Sequence, residues 1–568
     1  MSRQKNSVLQ VGRWRLNVVR LVFISLVLGL AWRLTDIQVL NSEFLRSQGD
    51  ARHLRNVTVS AHRGMILDRH NQPLAISTPV DSVWLNPQQV SITNTRLPKL
   101  AKLLSIETAV VKEKITSNKT REFVYLKRRI SPELALKVKH LKIAGVALQR
   151  EYKRYYPAGE VTAHLLGFTN VDDQGQEGLE LTHDATLTGV SGLKRMMRDR
   201  YGRYVGGGEQ IKVSKPGQDI QLSIDLRLQY LSYQALKSAV NKYHARSGSA
   251  VILDIKTGEV LAMVNQPAFN PNNRVGLSAS DYRNRAVIDL FEPGSTAKPF
   301  TVAAGLQSGK FNVTTKVNTS PGSFKVSGHV IKDHHNLGNI SLATLIQKSS
   351  NVGASKVALA LEPEELWQGF SSFGLSEPTG AYFPGEAMGH LPDLQSWRKF
   401  DRATLAFGYG MATSSLQLAR AYMVLANGGI LRPVSLQKVE QAPAGRKVYS
   451  SDVMKQVLSM MEAVTLMGGT AKKAAVVNYT VAGKTGTAIK AANGGYAVGK
   501  YVSLFAGVIP ASNPRLAMVV MIDEPQGKVY YGGLVAGPVF SEVMTGAMRI
   551  LNITPDNLSE SKMLVAKK

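Results

Sequence analysis

The sequence predicts an α+β protein: an antiparallel sheet packed with helices, preceded by a β-rich region and one apolar helix at the amino terminus. Three observations carry that prediction. The apolar runs YVSLFAGVIP (501–510) and RLAMVVMIDEP (515–525) are separated only by Ala511-Ser512-Asn513-Pro514, a turn composition that makes them an antiparallel pair. GPVFSEVMTGAMRILN (537–552) then places Val539, Val543, Met544, Ala547, Ile550 and Leu551 on one helical face, which suits packing on that sheet. SAVILDIKTGEVLAMV (249–264) reads as a hairpin turning at Lys256-Thr257-Gly258. Helices laid against an antiparallel sheet define the class.

Composition bounds what such a chain does. At 568 residues it has room for a large core, and 44% hydrophobic against 19% charged residues excludes disordered, collagen-like and coiled-coil chains. There is no cysteine, so disulfides, zinc fingers, thiolate iron–sulfur sites and cysteine nucleophiles are excluded, and any nucleophile carries oxygen or nitrogen. The formal charge of +28 favours an anionic environment. With no zinc-finger spacing, aromatic RNA-binding signature or basic zipper, nucleic acid is not an expected partner.

From the amino end, five basic residues (Arg3, Lys5, Arg13, Arg15 and Arg20) precede Leu21 and the first acidic residue is Asp36, a positive-inside flank. The run LVFISLVLGLAW (21–32) lengthens back to Leu16 if Arg20 snorkels to the headgroups, and Leu34, Ile37 and Leu40 prolong its apolar stripe. A single transmembrane anchor over 16–40 is expected, with residues 1–20 cytoplasmic and the chain beyond the anchor outside the cytoplasm. The rival reading is a cleaved signal peptide with Gly29-Leu30-Ala31 at the cleavage site.

HRGMILDRHNQPLA (62–75) reads as a short strand leading into a hairpin and 131–141 as a helix. REYKRYYPAGEVTAHLLGFTN (150–170), 175–192 and DRYGR (199–203) read as β-rich and irregular. The texture changes at Lys215-Pro216-Gly217, so a boundary is expected near 218, dividing a region 41–217 from a domain 218–553. IQLSIDLRLQYLSYQALKSAV then begins as a strand and runs into an amphipathic helix; helices dominate from Ser295 to Met467, and YTVAGKTGT (479–487) is a further strand. Residues 554–568 are expected as a mobile tail.

The sharpest chemical signal is FEPGSTAKPF, where Ser295 and Lys298 stand three apart after the turn dipeptide Pro293-Gly294. On a helix they share a face, with Ser295 at an amino terminus and an amine within reach of its proton. A lysine of ordinary pKa about 10.4 acts as a base only if burial or a second cation depresses that value. Taken alone, SxxK also fits a helix cap followed by an exposed lysine. KSSNVG (348–353) adds Ser349 and Asn351 on a short inter-helix loop, a hydroxyl able to relay a proton and an amide able to hold a peptide bond. AGKTGTA (482–488) adds Lys484, Thr485, Gly486 and Thr487 on a strand edge, where glycine allows close approach and a lysine can receive a carboxylate. A polar turn and a plain hairpin strand are the rival readings of these two segments.

Other motifs fail. Gly483-Lys484-Thr485 is no P-loop, because Asn478 stands where the first glycine is required. Ser295 is no nucleophile elbow, because Pro293 and Ala297 flank it. The Asp333-His334-His335 cluster lacks metal-ligand spacing and reads as a surface loop, so neither metal nor cofactor is expected.

The order SxxK, SxN, KTG is the triple signature of penicillin-recognising serine acyl-transferases. Nearly the whole chain resembles a class B penicillin-binding protein: RGMILDR (63–69), YYPAGEVTAHLLGFTN, GQEGLE (175–180), FEPGSTAKPF and KTGTA stand in the expected order. SSN, YVSLFAGVIP and YYGGLVAGPVF (530–540) make it similar to the division-specific septal transpeptidases, the FtsI type, more than to the elongation enzymes.

The resemblance implies a penicillin-binding/serine transpeptidase domain on a non-catalytic pedestal, in the bacterial inner membrane at the septum. It implies an acyl-enzyme on Ser295 that forms 4→3 cross-links between peptidoglycan stem peptides of lipid-linked precursor strands and that β-lactams trap. It assigns deprotonation of Ser295 to Lys298, proton relay to Ser349, peptide positioning to Asn351, and carboxylate binding to Lys484 with Thr485, Gly486 and Thr487. Backbone N–H groups of Ser295 and Thr487 form the implied oxyanion hole. Implied partners are an FtsW-type glycosyltransferase and small bitopic division proteins. One departure concerns turn geometry: His70-Asn71-Gln72 occupies the place after Asp68-Arg69 where the family has glycine. The competing functions are an elongation-specific transpeptidase, a hydrolysing β-lactamase or carboxypeptidase, and a catalytically silent membrane-tethered scaffold.

Overall fold

The computed structural model describes residues 12–198, 204–492 and 495–558. Arg3 and Lys5 of the basic flank, the DRYGR segment and residues 559–568 of the expected tail lie outside the described residues. The chain forms two compact units, Met1–Ala61 with Asp81–Glu151 and Val190–Lys215, and His62–Val80 with Tyr152–Gly189 and Pro216–Lys568.

In the first unit the apolar run forms the helix Arg13–Thr35, prolonged by a π-turn Asp36–Leu40. Together they make a 28-residue span with no buried residue, long and apolar enough to cross a membrane. The helix Ser42–His53 follows. The strands Leu54–Val59, Gly192–Arg198 and Tyr204–Lys212 form an antiparallel sheet with 192–198 in the middle. A second core gathers around residues 81–85, paired antiparallel with Val124–Ile130. Its helices Leu97–Leu104, Thr108–Ser117 and Pro132–His140 turn Leu97, Leu100, Leu104, Val111, Ile115 and Val138 inward. The last of these matches the helix expected over 131–141: the Ser131 hydroxyl accepts from Leu134 N at 3.3 Å and Pro132 takes a first-turn position where its missing N–H costs nothing.

The second unit is built on a five-stranded sheet, antiparallel throughout, in the order Val260–Gln266, Ser247–Asp254, Leu516–Asp523, Gly495–Ile509, Ala482–Ala492. The expected hairpin and the expected antiparallel pair are both present, and the pair extends Ile509 opposite Leu516 to Val502 opposite Asp523. Every residue of Ser247–Asp254 and Leu516–Asp523 is buried, which requires cover on both faces. The helices Leu226–Lys242 and Gly532–Ile550, packed on one another, supply one cover and Ser415–Ala426 the other.

Two boundaries differ from expectation for identifiable reasons. The last helix starts at Gly532, ahead of the expected 537, and runs through Pro538. Proline cannot donate to the carbonyl four residues back, and that carbonyl, Leu534 O, instead accepts from the Tyr243 hydroxyl at 3.1 Å. The KTG strand starts at Ala482 because Tyr479 and Thr480 are engaged elsewhere, by Ile553 O at 2.7 Å and by Asp556.

The same unit holds the quoted non-catalytic motifs. Ile66–Leu67 pairs antiparallel with the start of Pro73–Leu85 and parallel with Ile220–Gln221. In the intervening turn Asn71 adopts φ 63°, a conformation asparagine tolerates, and Asp68 accepts from the N–H groups of His70 and Gln72 at 2.7 and 2.8 Å. Asn71 thus takes the positive-φ position of the turn that glycine ordinarily fills. Arg63 of RGMILDR is buried and donates to Glu180 of GQEGLE at 2.7–2.8 Å and to Asp184 at 2.7 Å; Glu180 also binds Arg154 at 2.6 Å. This buried cluster pairs each charge with an opposite one from another segment of the chain.

Candidate active site

Ser295 lies on a 3₁₀ turn, Gly294–Ala297, that runs directly into the α-helix Lys298–Gln307. In 3₁₀ geometry residues three apart eclipse, so Ser295 and Lys298 stack on one side of the turn. Gly294 has φ 53°, and its N–H bonds to Gly408 O at 3.2 Å. Tyr422, fully buried, donates to Thr296 O at 2.9 Å and holds the turn from below.

The second motif lies at a break between two helices. Leu342–Lys348 ends with Ser349 in the left-handed region at φ 61°, Ser350 caps the next helix by accepting from Gly353 N at 2.8 Å, and Asn351 is that helix's first residue. The break turns both the carbonyl and the hydroxyl of Ser349 toward Lys298. Lys298 Nζ, with no solvent exposure, donates to Ser349 O at 2.5 Å, to Ser349 Oγ at 3.0 Å and to Asn351 Oδ1 at 2.7 Å.

Lys484 comes from the outer strand of the sheet. Its Nζ, equally buried, donates to the same Ser349 Oγ at 3.0 Å and to Thr485 O at 3.1 Å. Thr485 Oγ1 lies 3.0 Å from Thr470 Oγ1, and Thr487 Oγ1 accepts from Gly532 N at 3.0 Å. At Gly486 the strand passes so close to the Ser295 turn that a Cβ would sit 2.9 Å from Pro293 O and 3.0 Å from Thr296 Cγ2. Glycine is needed there for close approach.

Burial, and after it the positive charge of Lys484, hold the Lys298 pKa well below its usual value, with Asp333 acting in the opposite sense. Burial alone pushes Lys484 down to about 7. Two amines whose pKa values burial depresses are thus joined through one hydroxyl that can accept from one and donate to the other.

The structure brings Lys298, Ser349, Asn351 and Lys484 into one hydrogen-bonded network and lays Thr485, Gly486 and Thr487 along its border. It does not bond Ser295 to Lys298: all three acceptors of that amine belong to the second motif, and the Ser295 hydroxyl makes no hydrogen bond among the described residues. An ammonium uses three protons on those acceptors. A neutral amine donates only two and keeps a lone pair for the serine.

One residue was read differently from sequence. His334 and His335 are exposed, as a surface loop requires, but Asp333 is not part of a plain loop. Its carboxylate accepts from Ser350 Oγ at 2.5 Å and from the N–H groups of Asn351 and Val352 at 2.5 and 3.0 Å, fixing the helix start that carries Asn351. No local pattern announces this cap, since it comes from the residue that follows a separate hairpin, 323–332. Glu292, three residues before Ser295, was also missed; it accepts from Gly410 N at 2.8 Å.

Comparison with known proteins identifies the domains that carry this site. Residues 248–545 match the penicillin binding protein transpeptidase domain, and residues 58–222 match the penicillin-binding protein dimerisation domain. The chain is 44% identical to the peptidoglycan D,D-transpeptidase FtsI of Escherichia coli K12 over 537 residues, 93% of this chain and 90% of that protein. It is 41% identical to the probable peptidoglycan D,D-transpeptidase PbpC of Pseudomonas aeruginosa, covering 97% and 98%. Among solved structures, a peptidoglycan synthetase from Bifidobacterium adolescentis superposes with a TM-score of 0.70 at 28% identity, over 89% of this chain and 98% of that one. The transpeptidase domain of Burkholderia pseudomallei penicillin-binding protein 3 matches 59% of this chain and 97% of its own, at 41% identity and a TM-score of 0.55. With both domains present in this order and the three motifs converging at the sheet's outer strand, the chain belongs to the class B penicillin-binding protein family.

Proposed function

We propose that the protein is a serine D,D-transpeptidase that cross-links peptidoglycan stem peptides at the division septum. The observation that carries this reading is a fully buried lysine, Lys298, sharing one serine hydroxyl with a second buried lysine, Lys484, one turn from Ser295. Such an amine can take a proton at neutral pH.

In the first step Ser295 Oγ attacks the carbonyl of the D-Ala-D-Ala bond of a donor stem. The Oγ–C bond forms and the Oγ proton passes to Lys298. The C–N bond to the terminal D-Ala then breaks as Ser349 hands a proton to the leaving amine, drawing on Lys298. In the second step an amine of an acceptor stem attacks the acyl carbonyl and yields its proton through the same groups, releasing Ser295. Asn351 orients the donor peptide, while Lys484 with Thr485, Gly486 and Thr487 receives its terminal carboxylate. The N–H groups of Ser295 and Thr487 stabilise the oxyanion, each such donor being worth about 3 kcal/mol. β-Lactams acylate Ser295 by the same route.

The apolar span 13–40 anchors the protein in the inner membrane, with the amino terminus cytoplasmic and both domains periplasmic. On this reading residues 41–217 serve as pedestal and 218–553 as the transpeptidase domain, and the pedestal meets an FtsW-type glycosyltransferase and bitopic division proteins. The test is intact mass after incubation with benzylpenicillin, beside Ser295→Ala. A lasting adduct on the wild type alone, together with cross-linked product from stem-peptide substrates, is expected. No adduct with the drug intact would mean a scaffold, and no adduct with the drug hydrolysed a β-lactamase.

A further inference from the structure

Glu292 takes no part in the steps above, yet its surroundings set it apart from the other carboxylates of the described residues. Its Oε1 accepts from Gly410 N at 2.8 Å and from the Tyr496 hydroxyl at 3.2 Å. Its Oε2 is buried without a hydrogen-bond partner, alone in this among the carboxylate oxygens of the described residues. The groups it does bond are neutral, and burial raises its pKa.

The partners belong to separate pieces of chain that border the serine. Glu292 itself lies just ahead of the Ser295 turn. Gly410 belongs to the loop whose Gly408 O accepts from Gly294 N at 3.2 Å and whose Thr413 exchanges both backbone bonds with Phe291 at 3.0 and 2.9 Å. Tyr496 stands on the far arm of the hairpin formed by Ala482–Ala492 and Gly495–Ile509, opposite Ala491. Tyr409 packs edge-on against Tyr496 at 5.6 Å, and its hydroxyl accepts from Ile489 N at 3.4 Å.

The near arm of that hairpin carries Lys484 to Thr487 and approaches the Ser295 turn at Gly486. Beyond Gly486 the hairpin is held on both sides. Lys490 bonds to Asp523 and Glu524 at 2.8 Å and keeps the hairpin on its own sheet. On the nucleophile side Glu292 holds Tyr496 on the far arm while Tyr409 holds Ile489 on the near one.

We propose that Glu292 is a positioning residue for acylation: through Tyr496 and Gly410 it fixes the Ser295 turn relative to the hairpin that carries Lys484, Thr485 and Thr487. The proposal rests on the reading of Ser295 as nucleophile. Reacting groups displaced by about 1 Å can lose about a hundredfold in rate, so a tie at this point acts on chemistry more than on affinity.

The test measures the two constants of acylation by benzylpenicillin, the binding constant and the first-order acylation rate, on the full-length detergent-solubilised protein. Glu292→Ala is expected to slow the first-order step about 10- to 100-fold with the binding constant within about threefold. Glu292→Gln, which keeps an acceptor oxygen for both donors, is expected to restore most of the rate. Tyr496→Phe should lose part of it and add nothing to Glu292→Ala in the double variant. The proposal is overturned if Glu292→Ala reacts within about twofold of wild type, if the glutamine variant is as slow as the alanine variant, or if the two losses multiply. Should Glu292→Ala fail to fold, Tyr496→Phe reacting at the wild-type rate overturns it. A wild type that is not acylated removes the reading of Ser295; an acylated wild type with indifferent variants removes only the role of Glu292.

Discussion

Replacing Ser349 separates its chemical from its conformational contribution. Its hydroxyl is the sole group bonded by both buried amines, at 3.0 Å from each. In Ser349→Ala each amine loses one acceptor, a charge-assisted bond of about 1.5–3 kcal/mol, partly offset because either amine can lose a proton instead. Loss of the relay itself should slow acylation about 10²–10⁴-fold, or about 3–5 kcal/mol. Ser349 also holds φ 61°, which costs a non-glycine residue about 1–2 kcal/mol. Ser349→Gly removes that cost together with the hydroxyl. The glycine variant should therefore be more stable than the alanine variant by about 1 kcal/mol and acylate just as slowly. Time-resolved acylation by a fluorescent penicillin, with thermal midpoints recorded in parallel, reads both quantities. Recovery of the rate in Ser349→Gly would show that backbone geometry, and not the hydroxyl between the lysines, drives the step.

Asp333→Asn keeps an acceptor for the N–H groups of Asn351 and Val352 but removes the charge that raises the Lys298 pKa, so the acid limb of the acylation profile should move to lower pH, and an unmoved limb would show that the charge is not felt. Gly486→Ala brings a Cβ to 2.9 Å from Pro293 O, and the displaced Ser295 turn should cost about 1–3 kcal/mol of stability and at least about tenfold in acylation rate, read by melting and by mass. His164, buried and bonded at 3.0 Å to Asp281 O, has its pKa lowered by burial from 6.5 to about 4. The native state thus refuses a proton the unfolded chain takes, so the stability is fully present above 6.5 and is lost as pH falls toward 4. At about 1.36 kcal/mol per pH unit the loss is about 3 kcal/mol, and His164→Leu should flatten that part of the melting-temperature profile. Arg63→Met leaves the buried Glu180 with one cation and should destabilise by about 3–5 kcal/mol in denaturant titration while Ser295 remains reactive in the folded fraction.

The site residues were legible because each motif packs its chemistry into three or four consecutive positions. Ser295 and Lys298 share a turn, Ser349 and Asn351 flank a helix break, and Lys484 to Thr487 lie along one strand edge. The sheet was legible because turn residues separate strands rich in apolar side chains, which leaves few other arrangements. What was not legible depends on pairing across long separations. Asp333 reaches its N–H partners from just after a different hairpin, and Arg63 meets Glu180 117 residues away, although both belong to segments the sequence had singled out. The helix runs back past Pro538 because the donor that compensates the lost bond, Tyr243, lies 291 residues earlier than the carbonyl it serves. The absent bond between Ser295 and Lys298 was equally beyond reach, since it depends on how many acceptors surround one amine.

The spacing of the second motif follows from the helix break that presents it. Ser349 occupies the left-handed position that ends one helix, Ser350 caps the next, and Asn351 is the first residue of that helix. The residue between the serine and the asparagine is therefore occupied with starting a helix, and its hydroxyl is bonded both to Gly353 N and to Asp333. Only this order turns a main-chain carbonyl, a hydroxyl and an amide oxygen toward the same amine. A continuous helix would place residues two apart on different faces and direct the carbonyl along the axis into its own ladder. Lys298 can be buried because the break supplies three acceptors at once, where each alone would leave part of a desolvated charge unmet. The strain at Ser349 and the proton chemistry at Lys298 are thus two consequences of one interruption in the backbone.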